Sequence, residues 1–102
     1  MVIVSVLYPK TKESRFDIEY YLRTHIPLVK SRWSDMGLTS IDLIQRTAAI
    51  SGGVPRYEVI GQLTFESTES LEKALSQHGG EILGDIPNFT DVQPIIQTGR
   101  SL

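Results

Sequence analysis

Cysteine is absent from this sequence of 102 residues. Without a thiol the chain can form no disulfide, zinc ribbon or iron–sulfur site, and it has no cysteine nucleophile. Long apolar runs are missing as well: no segment reaches the roughly 18 residues of a membrane-spanning helix, so we expect no membrane partner. The chain does contain 40% hydrophobic and 22% charged residues. That is the composition of an ordinary folded protein, and we expect a single domain over residues 1–102.

The chain also lacks an excess of positive charge. Its ten Lys and Arg residues stand against twelve Asp and Glu residues, which gives a net charge of −2. A nucleic-acid-binding protein normally carries a basic excess or stripe, so we expect no nucleic-acid partner. Residues 1–6 have neither the positively charged start nor the cleavage pattern of a signal peptide, and this predicts a cytoplasmic protein.

Motifs that bind common cofactors are missing too. The sequence has no Gly-x-Gly-x-x-Gly element, no Walker lysine and no Gly-x-Ser-x-Gly nucleophile motif, so we expect no self-contained site for NAD, FAD or ATP. Its two histidines, His25 and His78, lie far apart and do not form a metal-binding pair by spacing. The sequence therefore predicts neither a cofactor nor a metal site.

Four segments have the alternation or the β-branched composition of strands. The first is apolar on both faces, which is typical of a central strand. The third has the clearest alternation, with Val59, Leu63 and Phe65 on one face. The last contains Pro94, which cannot donate to a strand ladder, so we expect that strand at a sheet edge. The predicted strands cover residues 2–8, 39–47, 57–66 and 91–98.

Two further segments have helical periodicity. The first follows Asp17, a good N-cap, and ends near Gly37; Pro27 lies inside it and predicts a kink. The second follows Ser67, another good N-cap. The order β-α-β-β-α-β predicts an α+β, ferredoxin-like fold, in which a four-stranded antiparallel sheet carries both helices on one face.

The other face of such a sheet has no helices to cover it. On the third strand that face holds Ile60, Gln62 and Thr64. Three residues near the end of the chain could add to the same surface: Gln93, Ile95 and Gln97. Such a surface is half apolar, and pairing with a second copy would cover it. Because two-fold dimers are the commonest oligomers, we expect a homodimer.

His25 is the main candidate for chemistry. At helical spacing it lies one turn from Tyr21 and from Val29, so it points inward among apolar side chains. Burial lowers the pKa of an imidazole, and a neutral histidine beside a phenol could act as general acid or base toward a small ligand, with Tyr21 as the orienting group. The alternative is a structural histidine that bonds a backbone carbonyl, such as the one left free by Pro27.

Other polar side chains could also contact a ligand. The remaining tyrosines could line a cavity or serve as core residues with one polar tip: Tyr8, Tyr20 and Tyr57. His78 lies on the apolar stripe of the second helix and is either a ligand-binding residue or a helix-end histidine favoured by the helix dipole. Asp85 and Asp91 flank a short segment; we interpret them as turn formers, with catalytic carboxylates as the alternative.

Three segments of the chain resemble the EthD family. Residues 15–28 carry the aromatic pair Tyr20-Tyr21, then His25 four residues on, and then Pro27-Leu28. Residues 7–9 (Leu-Tyr-Pro) and residues 84–94 (Gly-Asp-Ile-Pro-Asn-Phe-Thr-Asp-Val-Gln-Pro) fit the same family. The resemblance covers essentially the whole chain.

This resemblance implies a ferredoxin-like subunit of a dimeric α/β barrel, with a ligand space between the sheet and the helices that His25 and Tyr21 would face. The family takes its name from a protein needed for bacterial degradation of ethyl tert-butyl ether, and its members are often labelled reductases. Related barrels include cofactor-independent monooxygenases, lactone isomerases, polyketide cyclases and haem-degrading proteins. A fold alone does not determine which of these activities a chain has.

The leading hypothesis is a protein that binds a small apolar or aromatic ligand and acts in aromatic, ether or polyketide-type metabolism. Its chemistry would be proton transfer, isomerisation or cofactor-independent oxidation, with His25 in the pocket. One alternative is a non-catalytic binding or accessory protein of a degradation pathway. The other is a haem-binding barrel with His25 or His78 as the axial ligand.

Overall fold

Four antiparallel strands form one sheet. The computed structural model describes residues 1–102. The strands are β1 (Val2–Pro9), β2 (Leu38–Gln45), β3 (Tyr57–Phe65) and β4 (Ile95–Gly99), and their order in the sheet is β2-β3-β1-β4. The first helix spans residues 18–33 and joins β1 to β2, and the second helix (Thr68–Asp85) joins β3 to β4. The element order and the ferredoxin-like α+β fold are as predicted.

Both helices pack on the same face of the sheet. Val59, Leu63 and Phe65 of β3 are buried on that face, as their alternation predicts. Between the helices, Trp33 Nε1 donates a hydrogen bond to the carbonyl oxygen of Ala74 at 2.9 Å. Strand β1 lies at the centre of the sheet and β4 at its edge, which confirms both predicted positions.

The bounds of β2 and β4 differ most from the prediction, whereas β1 and β3 each differ by one residue at one end. Strand β2 begins one residue earlier than expected and ends at Gln45. Strand β4 begins at Ile95, so the predicted start at Asp91 is wrong. Because Pro94 has no N–H to donate, pairing with β1 begins only after it, at the Leu7–Ile95 pair.

The first helix widens where a kink at Pro27 was expected. Residues Tyr21–His25 form a π-helical turn, in which the N–H of Ile26 donates to the carbonyl oxygen of Tyr21. Proline cannot form the α-helical bond to the carbonyl four residues earlier, and the wider turn accommodates that missing donor. The wider turn also shifts the helix phase, and Leu22 within it is half exposed.

The second helix begins at its predicted N-cap. Ser67 Oγ accepts a hydrogen bond from the N–H of Ser70 at 3.1 Å. The helix then continues through its two central glycines to Asp85, so His78 lies inside the helix rather than at its end. Neither helix is long and apolar enough to cross a membrane. The expected cytoplasmic location stays a prediction.

Candidate functional site

A cavity of about 120 Å³ lies between the sheet and the two helices. Of its 18 lining residues, 15 are hydrophobic, and none is Lys, Arg, Asp or Glu. Its polar lining groups are few: Tyr8, Tyr21, His25 and Thr98. The cavity opens between the second helix and β4, where its half-exposed lining residues lie: Leu75, Leu83 and Ile96. This is the shape and polarity of a small-molecule site.

His25 is held in this cavity by Asp85, the last residue of the second helix. The imidazole Nδ1 lies 2.9 Å from Asp85 Oδ2. Two further donors bond the other carboxylate oxygen: the Tyr20 hydroxyl at 2.7 Å and the Asn88 side-chain amide at 2.9 Å. An ionised carboxylate only accepts hydrogen bonds, so Nδ1 carries the proton, and Nε2 of the neutral ring has a free lone pair.

Backbone contacts bring these distant segments together. The N–H of Asp17 donates to the carbonyl oxygen of Phe89 at 2.7 Å, and the Thr90 hydroxyl donates to the carbonyl oxygen of Arg15 at 2.7 Å. These bonds fasten the segment after the second helix to the start of the first helix. The acid and the histidine therefore meet although 60 positions separate them in the chain.

The surroundings keep the histidine neutral and the acid ionised. Burial lowers the pKa of His25, and the hydrogen bond and charge of Asp85 offset this only in part. Burial raises the pKa of Asp85, but the hydrogen bonds from Tyr20, Asn88 and His25 outweigh it, so the net shift is downward. Near neutral pH the pair is a neutral imidazole oriented by a carboxylate, which is the arrangement of a general base.

Two phenol hydroxyls face the same cavity. Tyr8 and Tyr21 are only 2% and 3% exposed, and the Tyr21 ring stacks on His25 with an interplanar angle of 15°. Neither hydroxyl has a hydrogen-bond partner in the protein. Every side-chain polar atom that is fully shielded from solvent does have a partner, so these two hydroxyls are not fully shielded and are reached from the cavity. Burial raises the pKa of Tyr21 to about 12 and also raises that of Tyr8. Both therefore remain protonated donors.

The structure separates the other predicted site residues from the cavity. Tyr20 does not line it but bonds Asp85 behind His25. Tyr57 begins β3 and pairs with Pro9, outside the lining. The His78 imidazole also lies outside the lining, with Nδ1 at 3.9 Å from Glu81 on the helix surface.

Asp85 is the site residue that the sequence favoured as a turn former and left out of the predicted site. Interpreting it as a turn former is incomplete, since it does precede the 3₁₀ turn Ile86–Asn88 but its carboxylate is the partner of His25. Asp91, the other predicted turn former, accepts a hydrogen bond from the backbone N–H of Arg15 at 2.9 Å and lies outside the cavity. Local sequence contains no signal that distinguishes the two acids.

The cavity is too small for haem. Its volume is close to that of an engineered cavity of roughly 150 Å³ that holds a single benzene. A porphyrin has four pyrrole rings in one plane and does not fit such a space. No group of three or more His, Asp or Glu side chains is arranged to hold a metal ion.

Comparison with known proteins identifies the family. No protein-family model matches the chain, and no curated protein is significantly similar to it. An EthD-like protein of known structure from Ralstonia eutropha JMP134 is 34% identical, with a TM-score of 0.88 over 97% of this chain and 89% of that chain. This chain belongs to the EthD family.

Two more distant structures share the fold of this EthD chain. An EthD family protein from Bacillus halodurans C-125 is 20% identical, with a TM-score of 0.80 over 100% of this chain and 99% of that chain. SnoaB, a cofactor-independent oxygenase from Streptomyces nogalater, is 9% identical, with a TM-score of 0.60 over 99% and 93% of the two chains. At these identities the likeness concerns the fold alone.

Proposed function

We propose that this EthD protein binds a small, uncharged, largely apolar molecule in the cavity and transfers a proton on it, with His25 as general base and acid. One observation carries the proposal: three hydrogen-bonding groups without protein partners meet at an apolar cavity. They are His25 Nε2 and the hydroxyls of Tyr8 and Tyr21. A ligand oxygen or N–H that bonds these groups gains hydrogen bonds worth about 0.5–1.5 kcal/mol each.

The cavity lining favours an uncharged ligand. No Lys, Arg, Asp or Glu lines the space, and burial keeps His25 neutral. An unpaired carboxylate or ammonium in such a site would cost several kcal/mol, whereas a carbonyl, lactone or phenol oxygen can accept a hydrogen bond from Tyr21. The volume of about 120 Å³ suits a ligand body of about one ring.

The proposed chemistry begins with proton removal. His25 Nε2 takes a proton from a carbon next to the ligand's carbonyl group; the electron pair of that C–H bond forms a C=C bond to the carbonyl carbon, and the C=O π pair moves onto the oxygen. The Tyr21 hydroxyl donates to this oxygen and stabilises its negative charge, while Asp85 stabilises the imidazolium. Where the ligand carries a C=C bond next to the deprotonated carbon, return of the proton to the far carbon of that bond moves the C=C bond into conjugation with the carbonyl group and completes an isomerisation. An oxidation would instead need dioxygen as a second substrate.

The test is hydrogen exchange on a probe ketone. Cyclohexanone in D₂O exchanges its α-protons, and proton NMR follows the loss of signal. We expect the wild-type protein to accelerate exchange and His25→Ala to lose about 10²–10⁴-fold of that acceleration. His78→Ala is the matched control, because His78 lies outside the cavity. Equal acceleration by the wild type and His25→Ala would contradict the role of His25.

A non-catalytic accessory protein is the second candidate, since 15 of the 18 lining residues are hydrophobic and could hold a ligand without chemistry. Binding of cyclohexanone by isothermal titration separates the two functions. Saturable binding without accelerated exchange, in the wild type and in His25→Ala alike, would establish the accessory function. Absence of both binding and exchange for neutral ring-sized probes would refute both.

We also propose that the protein is a homodimer that pairs through its helix-free sheet face, as in a dimeric α/β barrel. Strand register aligns one apolar residue from each strand in a row across that face: Leu7, Ile44, Ile60 and Ile95. The two edge residues of this row, Ile44 and Ile95, are each 49% exposed. An exposed apolar row of this kind supports a contact with another protein surface.

Sedimentation velocity at micromolar concentration tests the dimer. We expect a dimer for the wild type and a monomer for Ile60→Glu, because the new carboxylates would be buried in the interface. Gln77→Glu is the control, because it adds the same charge on the exposed surface of the second helix, away from the sheet face, and it should leave the dimer intact. A wild-type monomer would refute the pairing.

A further inference from the structure

Gly61 lies in the middle of β3, and the side of this residue on which a Cβ would stand faces the Tyr21 hydroxyl. A Cβ at this position would lie 2.9 Å from Tyr21 Oη and 3.6 Å from Leu43 Cδ2. The first distance is shorter than real Cβ contacts. The hydroxyl therefore occupies space that any side chain at position 61 would take.

The backbone does not explain this glycine. Gly61 is not among the glycines with positive φ, which are Gly37, Gly52 and Gly53. An L residue could adopt its extended conformation within β3, and glycine in a strand interior weakens the strand. The remaining reason for glycine is the close approach of Tyr21.

Tyr21 has little freedom to move aside. Its ring packs against Tyr8, Phe16, His25 and Phe89, with ring centroids 5.1 to 5.9 Å away. Aromatic contacts of this kind restrain both the position and the tilt of a ring. The aromatic cluster thus holds the ring from the sides, and the bare segment of β3 leaves room for its hydroxyl.

We infer that Gly61 is a positioning residue of the proposed site: by leaving the space against β3 free, it determines where Tyr21 donates its hydrogen bond to the ligand's oxygen. The role in ligand positioning rests on the proposed function, whereas the steric coupling to Tyr21 rests on geometry alone. Gly61 also lines the cavity, so a side chain there would reach the ligand space directly.

The test uses Gly61→Ala, Tyr21→Phe and the double variant. Gly61→Ala is expected to lower the melting temperature, and the double variant to regain most of that loss, because removal of the hydroxyl removes the clash. Gly80→Ala is the matched control, since no heavy atom lies within 4 Å of its added Cβ. Its melting temperature should not fall.

Exchange kinetics with cyclohexanone separate positioning from stability. A displacement of about 1 Å in an oriented group can cost about 10²-fold in rate, so we expect a kcat loss of that order in Gly61→Ala with a smaller change in KM. The double variant should regain melting temperature but not kcat, because the donor is gone. Gly80→Ala should keep the wild-type rate.

The inference is overturned if Gly61→Ala keeps the wild-type melting temperature or the wild-type kcat, or if the double variant is no more stable than Gly61→Ala. Failure of the proposed function is a different result. In that case the wild type accelerates no exchange and binds no probe, while the melting temperatures of the three variants still decide whether Gly61 and Tyr21 are coupled.

Discussion

Replacing Asp85 with Asn tests the site most sharply, because it changes charge and hydrogen-bond pattern with almost no change of shape. Asp85 Oδ1 accepts from Tyr20 and Asn88, and Oδ2 accepts from His25 Nδ1. An Asn side chain has one acceptor oxygen and one donor nitrogen. Its oxygen accepts from the Tyr20 hydroxyl and the Asn88 amide, as Asp85 Oδ1 does, so its nitrogen faces His25 Nδ1.

That arrangement changes the tautomer of His25. Nδ1 must then accept from the amide, and the proton moves to Nε2, which removes the lone pair that faces the cavity. We expect Asp85→Asn to lose about 10²–10⁴-fold of the α-proton exchange rate, the range for loss of general base catalysis. Hydrogen bonds to a charged group contribute about 1.5–3 kcal/mol against about 0.5–1.5 for neutral pairs, so we expect Asp85→Asn to lower the free energy of unfolding by about 1–3 kcal/mol.

Two measurements check this reasoning. Nitrogen-15 NMR of the imidazole rings reports which nitrogen of His25 carries the proton, and His78→Ala assigns the signals. Urea unfolding reports the change in stability. Asp91→Asn is the control, because Asp91 belongs to the same region but pairs with Arg15 outside the cavity. Retention of the Nδ1–H tautomer, or of the wild-type exchange rate, in Asp85→Asn would refute the argument.

Three further predictions concern stability. Phe65→Ala removes a fully buried ring and should cost about 3–5 kcal/mol in urea unfolding; a loss below about 1 kcal/mol would contradict the core assignment. Ser67→Ala removes the cap of the second helix and should cost about 0.5–2 kcal/mol, whereas Ser51→Ala in an exposed turn should cost little. The pKa of His25 is lowered from its ordinary 6.5, so just below pH 6.5 the unfolded chain binds more protons than the folded one and stability falls on acidification. His25→Gln should flatten that part of the pH–stability curve, and an unchanged slope would count against a buried neutral histidine. The pKa of Asp85 is also lowered, from its ordinary 3.8, so the stability that its ionised form contributes is lost at more acidic pH, as the pH falls below 3.8.

Elements with a local cause were predictable from the sequence. The buried face of β3 follows from its alternation, and the starts of both helices follow from Asp17 and Ser67, whose side chains bond N–H groups three residues on. The inward position of His25 also follows from helical spacing. Each of these depends on neighbours along the chain, so the pattern of residues is sufficient. The start of β4 and the widened turn before Pro27 were not predicted. Proline lacks an N–H, and a strand or helix can respond to that missing donor in more than one way, by ending, kinking or widening.

The composition of the site depends on the tertiary structure. The sequence by itself determined the fold class, the faces of strands and helices, and His25 and Tyr21 as site candidates, since these rest on periodicity and local chemistry. Only the tertiary structure paired His25 with Asp85, separated Tyr57 and His78 from the cavity, and placed Gly61 against Tyr21. Those relations join residues from different elements across the core. Their geometry depends on how helices and strands pack, and no spacing along the chain encodes it.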